Sequence, residues 1–348
     1  MAMTSGAKAA ARSDNGASLR ERVHELGILP TPGIDLLNAS PSTINLFGIP
    51  PRPDPVQRTA FRIWRYFFDR SATFVHAGIT LQKASFQLTT GTITSANGSR
   101  FETSSNWSGA YVVPTGGDMV VAILGRWTVP KPKLPPPPER APGLPAEYAC
   151  STWIGLDGQR LYLNSSLPQI GTTQTLNVPN VGPPVVSSFA WFQWWDRPAG
   201  GYYIQFSNFP VTVGDKVACL IWVTNASMVF AGMLNLNTNQ IAAVTATAPI
   251  VNGTSLTISG ATGEWIMERP TIFGSDEPYW FPDYGRTRFR GCATATGPTP
   301  ALPTGGKDLS SPRFIRMCDT LTDPMRTCYI SMPEKLGDKR LRIHYGDF

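Results

Sequence analysis

The stretch Val217-Ala218-Cys219-Leu220-Ile221-Trp222-Val223-Thr224 sets Val217, Cys219, Ile221 and Val223 against Ala218, Leu220, Trp222 and Thr224 in strict alternation. Successive side chains of a strand point to opposite faces, so a twofold period reads as β-structure. The run Val185 to Trp195 reads as another strand, and Leu341 to Tyr345 as the last. From about Phe101 onward, β-branched and aromatic runs recur between Gly, Pro and Asn punctuation, the pattern of a sandwich. Composition agrees: 32 Gly, 32 Pro and only 16% charged residues favour turns over long helices. With 348 residues and 42% hydrophobic content, the chain is long enough for one large domain plus an appendage.

The appendage is expected at the N-terminus. Residues 1–16 read as disordered, Ser18 to Leu26 as a short helix and Ser42 to Phe47 as another turn or two. Between Pro55 and Arg70 the residues Val56, Ala60, Phe61, Trp64, Phe67 and Phe68 recur at helical spacing, opposite Arg58, Arg62 and Arg65. Residues 1–100 are therefore read as a helical or irregular segment, either a packing layer or a prosegment, and 101–348 as the β domain. Pro130 to Pro145 reads as a stiff loop between strands, and Thr294 to Pro312 as a surface loop.

The net charge of +6 is uneven: residues 1–100 hold 11 Lys and Arg against 6 Asp and Glu, and the remainder 19 against 18. No nucleic-acid-binding motif accompanies it, so no nucleic-acid partner is expected. The five cysteines form no C-x-x-C pair and the three histidines lie far from them, which argues against a metal site. Cys318 and Cys328 flank the probable turn Asp323-Pro324-Met325, where a disulfide would fit. No run is long and apolar enough for a membrane span, and Met1 to Leu19 lacks the apolar core of a signal peptide. The N-x-S/T triplets at Asn38, Asn97, Asn106, Asn164, Asn225 and Asn252 matter only for a chain that enters a secretory pathway.

The chemistry is carried by ordered motifs. Ser105-Asn106-Trp107-Ser108-Gly109-Ala110, Thr128-Val129-Pro130 and Trp153-Ile154-Gly155-Leu156-Asp157-Gly158 precede Gln169-Ile170-Gly171. Ala190-Trp191-Phe192-Gln193-Trp194, Gly214-Asp215 and Glu264-Trp265-Ile266-Met267-Glu268 follow. A carboxylate can take a proton from water and a side-chain amide can hold the oxyanion that forms, so such a pair requires neither metal nor covalent nucleophile.

In type and order these blocks resemble the glutamic peptidases, or eqolisins, across about residues 101–348. The resemblance implies a lectin-like (concanavalin-like) sandwich of two antiparallel sheets and a Gln/Glu dyad that falls on Gln169 and Glu268. It implies an acid-acting endopeptidase with a protein or peptide substrate and no cofactor. Trp107, Trp153 and Asp157 fall where the family lines or braces its site, with Trp191 and Gln193 beside them. Where the family has acidic residues around its A-W-Y-E-W block, this chain has Phe189 and Gln193. Family members are secreted, which the start of this chain does not announce.

Two other classes compete. A laminarinase-type glycosidase needs E-x-D-x-E on one strand, but Ile266 occupies the central position here. A non-catalytic carbohydrate- or protein-binding sandwich is suggested by the aromatic richness around Trp191, Trp194 and Trp195.

Overall fold

The computed structural model describes residues 19–83, 86–87, 94–95, 101–137, 140–144, 146–159, 166–195, 202–272, 277–319 and 328–346. Residues 1–16, the Asp323-Pro324-Met325 turn, Asn97 and Asn164 lie outside them. The principal strands are, in chain order, β1 (Val23–Glu25), β2 (Thr73–Val75), β3 (Ile79–Lys83), β4 (Trp107–Val112), β5 (Met119–Thr128) and β6 (Ala146–Leu156). Next come β7 (Leu167–Val178), β8 (Val185–Trp195), β9 (Tyr202–Phe206), β10 (Lys216–Asn225), β11 (Met228–Asn235) and β12 (Gln240–Thr247). The last are β13 (Gly263–Glu268), β14 (Arg286–Gly297), β15 (Arg313–Asp319), β16 (Cys328–Gly337) and β17 (Arg340–Tyr345). Two helices, α1 (Pro41–Leu46) and α2 (Arg58–Phe68), precede the long strands.

The β expectation holds, with a difference in connectivity. Hydrogen bonding joins 20 strands into one continuous, mostly antiparallel sheet. One antiparallel run goes β15, β4, β13, β6, β7, β8, β9, β3. The other goes β17, β14, β5, β10, β11, β12. Strand β16 pairs with both β15 and β17 and thereby connects the runs.

Alternation in each strand assigns its faces. Ile154, Ile170, Phe192 and Trp265 from the first run share one apolar cluster with Ile123, Cys219, Ile221, Ala231 and Met233 from the second. The opposite face of the second run is lined by Ala122, Leu124, Ala218, Leu220, Phe230, Ala243 and Ala295, and α2 buries Ile63, Trp64, Phe67 and Phe68 on it. Small residues there admit the helix: a Cβ at Gly232 would come within 3.0 Å of the Phe67 ring. Trp64 and Phe68 pack at 5.0 Å between ring centroids, and the Trp64 indole N–H donates to the Pro50 carbonyl at 2.9 Å.

Several local expectations shift. Val56 is exposed and Phe61 half-buried, while Ile63 takes the place expected of Phe61 on the buried face. The helix expected to run to Leu26 is a turn over 19–22, because Val23–Glu25 satisfies its backbone along β12 instead. The segment 294–312 is no plain surface loop. Thr294 to Gly297 finishes β14, and Gly305–Lys307 pairs back onto it. Cys150, Cys219, Cys292 and Cys318 are buried. Cys328 pairs in register with Asp319, next to Cys318, on adjacent strands.

Candidate active site

On β13, Trp265 and Met267 enter the shared core, so Glu264, Ile266 and Glu268 face the other way. Trp265 is fixed by donating its indole N–H to the Leu124 carbonyl of the second run at 2.9 Å. The face that Glu264 and Glu268 share also carries Trp107, Trp153, Trp191 and Trp195.

Register sorts this face into rows. Tyr111, Glu264, Gly155, Gln169 and Gln193 stand directly across from one another on β4, β13, β6, β7 and β8. The neighbouring row is Gly109, Ile266, Trp153, Gly171 and Trp191. The next is Trp107, Glu268, Ser151, Thr173 and Phe189. Gln169 is therefore two strand spacings, roughly 10 Å, from Glu264 in backbone terms. Glu268 lies a further four residues along the strands, roughly 13 Å, outside direct reach of the Gln169 amide. The structure brings Gln169 level with Glu264 and not with Glu268.

Gly171 makes the arrangement possible. It sits between Trp153 and Trp191, and a Cβ there would lie 2.5 Å from both the Trp153 Cβ and the Thr152 carbonyl oxygen. Gly155, between Glu264 and Gln169, adds no side chain to the row.

Hydrogen bonding fixes the Gln169 amide. A backbone carbonyl only accepts, so Gln193 must turn its Nε2 to the Tyr202 carbonyl, at 2.8 Å. Its Oε1 then faces Gln169, whose Nε2 donates to it at 2.8 Å. Among the described residues, one N–H of the Gln169 amide remains for a further acceptor, and Gln169 Oε1 has no hydrogen-bond partner. Gln193 thus links the Gln169 amide to the Tyr202 carbonyl.

Glu264 is buried, and its Oε1 accepts from the Gly158 N–H at 3.0 Å and from the Thr262 hydroxyl. Its Oε2 has no hydrogen-bond partner among the described residues. Burial pushes its pKa up to about 8, the Thr262 hydrogen bond opposes this, and the nearby Asp157 carboxylate adds to it. Asp157 adopts a left-handed φ of 64°. It accepts from the backbone N–H groups of Ser259 (2.7 Å), Gly260 (3.1 Å) and Ala261 (2.7 Å). Burial raises its pKa and those bonds lower it. Asp157 thus braces the turn leading into β13.

Glu268 occupies an indole-lined pocket. The Trp153 indole N–H donates to its Oε2 at 2.7 Å, and the Trp107 and Trp153 rings meet edge-on at 5.1 Å. Burial pushes its pKa to about 8 against the Trp153 hydrogen bond. The Trp107 N–H also lowers it but makes no hydrogen bond of ordinary geometry. Glu268 Oε1 has no hydrogen-bond partner among the described residues.

Sequence reading overlooked Glu264 and its neighbours. Tyr111, opposite Glu264, donates to Glu102 at 2.7 Å, and Gln159 donates to the other oxygen of Glu102, also at 2.7 Å. Arg313 lies 3.6 Å from Glu102. Alternation along β13 puts Glu264 and Glu268 on one face, but no sequence signal supplied the cross-strand register. Among the described residues, no group of His, Cys, Asp and Glu could hold a metal ion.

The Gln169 amide and the Glu264 carboxyl group thus stand two strands apart on one face of a large antiparallel sheet. The chain matches the Peptidase A4 family over residues 105–314. It is similar to Aspergillopepsin-2 of Aspergillus niger, with 25% identity over 213 residues, covering 58% of this chain and 68% of that protein. Its fold is similar to that of scytalido-glutamic peptidase solved with a transition state analog inhibitor. That likeness has a TM-score of 0.50 and 17% identity, covering 69% of this chain and 98% of the other. The chain belongs to the Peptidase A4 family and is a peptide hydrolase.

Proposed function

We propose that the protein is an acid-acting endopeptidase in which Gln169 and a carboxyl group of β13 form the working pair. The row that sets Glu264 and Gln169 on either side of Gly155 carries this reading and favours Glu264 as the carboxyl. Glu264 takes a proton from water as the oxygen attacks the scissile carbonyl, and later returns it to the departing amine. The free N–H of Gln169 donates to the oxyanion, and because an amide does not titrate, acid leaves this role intact.

Glu268, the base expected from sequence, is the second reading, supported by the Trp153 indole N–H that donates to its Oε2. Both carboxyl groups are buried, so a peptide reaches either only when covering residues move. Burial keeps both neutral in the closed arrangement; solvation on opening lowers the pKa and produces the base. The substrate is a protein or peptide chain.

Two structural readings accompany the function. The shared core supports treating the two strand runs as facing layers of a lectin-like sandwich. The burial of α2 supports residues 1–100 as a packing layer of the domain spanning 101–348.

The test is proteolysis of a denatured protein from acid to neutral pH by Glu264→Gln, Glu268→Gln and Gln169→Ala variants. Glu264→Gln is expected to lose on the order of 10²–10⁴ in rate, and Gln169→Ala on the order of a hundredfold. Near-normal turnover by folded Glu264→Gln, with loss in Glu268→Gln, transfers the base to Glu268. Normal turnover by both refutes the mechanism.

A further inference from the structure

The near-neutral balance of residues 101–348 conceals a segregated basic surface. Thr287, Phe289, Leu341 and Ile343 alternate inward on β14 and β17, and Phe289, Leu341 and Ile343 join the shared core. Arg286, Arg288 and Arg290 therefore face outward, on the opposite side of that core from the Glu264 row. They line a cavity of about 550 Å³ with Arg126 of β5 and Lys216 of β10, and no Asp or Glu lines it.

The register sets like charges directly across from each other. Arg126 opposes Arg290, which opposes Arg340, and Arg288 opposes Arg342. Like charges directly opposite on a sheet destabilise it. Arg342 is paired with Glu334. Among the described residues no ion pair neutralises Arg126, Lys216, Arg286, Arg288, Arg290 or Arg340. Arg126 is held by the Tyr66 hydroxyl at 3.1 Å, and its buried Nε has no partner. Packing holds this cation in place without neutralising it.

We propose that this cavity is a binding site for a compact, non-aromatic ligand carrying several phosphate groups. Guanidinium groups grip phosphate oxygens in pairs. Here their backbone positions form a two-dimensional grid, about 4.8 Å across strands and about 6.8 Å along them. A grid inside a bounded cavity suits phosphates arranged around a ring rather than strung along a polymer. The one tryptophan in the lining, Trp127, is buried and donates to Thr172, which leaves it unable to stack on a base.

Calorimetric titration of the full chain with inositol hexakisphosphate at fixed ionic strength tests the site, with sulfate and a single-stranded oligonucleotide as comparisons. Saturable binding at one site is expected, at least about a hundredfold tighter than sulfate, with each arginine contributing about tenfold. The Arg288→Gln/Arg290→Gln variant is expected to weaken it about a hundredfold, and Lys216→Gln, on another strand, to weaken it as well. The ligand-free double variant should melt no lower than the parent, since like-charge repulsion is relieved. Three results each overturn the site: sulfate matching the ligand, affinity unchanged in both variants, or tighter binding of the oligonucleotide.

Discussion

The two outward faces of the strand runs treat charge in opposite ways. On the first run, Glu264 and Glu268 are withdrawn from water among tryptophans, and burial holds them neutral. On the second, arginines oppose arginines across neighbouring strands. The contrast follows from solvation. A carboxyl group can escape the penalty of burial by binding a proton, whereas a guanidinium cannot release one and must stay near water or an anion. The proposed proton chemistry therefore falls on the first face and the proposed anion capture on the second.

The sharpest way to break this comparison is to remove the buried carboxyl: Glu264→Gln should reduce proteolysis by the largest factor of any substitution, while leaving binding at the arginine cavity unchanged. Loss of both would show that the faces are not independent.

Next in size is the helix that covers part of the second face. Trp64→Ala is expected to cost about 3–5 kcal/mol in chemical denaturation, because a fully buried indole is lost from the contact with the sheet. Deletion of residues 1–70 should give an insoluble or cold-labile product; a soluble and more active fragment would favour a prosegment instead.

The pH dependence of stability separates the faces further. Glu264 and Glu268 have folded pKa values raised from 4.5 to about 8. The folded chain then holds more protons than the unfolded chain between those limits, so stability falls as pH rises through that window. The melting temperature should increase on acidification from pH 8 toward 4.5, by an amount equivalent to a few kcal/mol. Glu264→Gln should flatten this dependence, and substitutions at Arg288 or Arg290 should not. A melting temperature that falls across the same acidification contradicts the burial of neutral carboxyls.

Two smaller effects sharpen the account of the site. Gly171→Ala places a methyl group against Trp153 and should cost roughly 1–3 kcal/mol by overpacking. Gln193→Glu cannot, when ionised, donate to the Tyr202 carbonyl, so it should loosen the Gln169 amide and shift the pH–activity profile. Profiles that match the parent would show that Gln193 neither orients Gln169 nor tunes its partner.

The β class, the strand Val185–Trp195, the final strand and the motifs on either side of the site were legible because each depends on local periodicity. The amphipathic helix was legible for the same reason, although its buried stripe lay differently, with Ile63 inward and Val56 outward. The strand Val23–Glu25 was not, because its partner β12 is more than two hundred residues away in sequence. The pairing of 305–307 with β14 also depended on tertiary contact.

The sequence by itself determined that Glu264, Ile266 and Glu268 share a face, because alternation along one strand is a property of the backbone. It also offered Gln169 and a carboxyl group as the pair for the proposed chemistry. Only the tertiary structure decided which carboxyl stands level with Gln169, and that Arg126, Arg290 and Arg340 stand in one line. Register between strands distant in sequence is set by packing of the whole core, and a shift of two residues preserves every face while changing every neighbour.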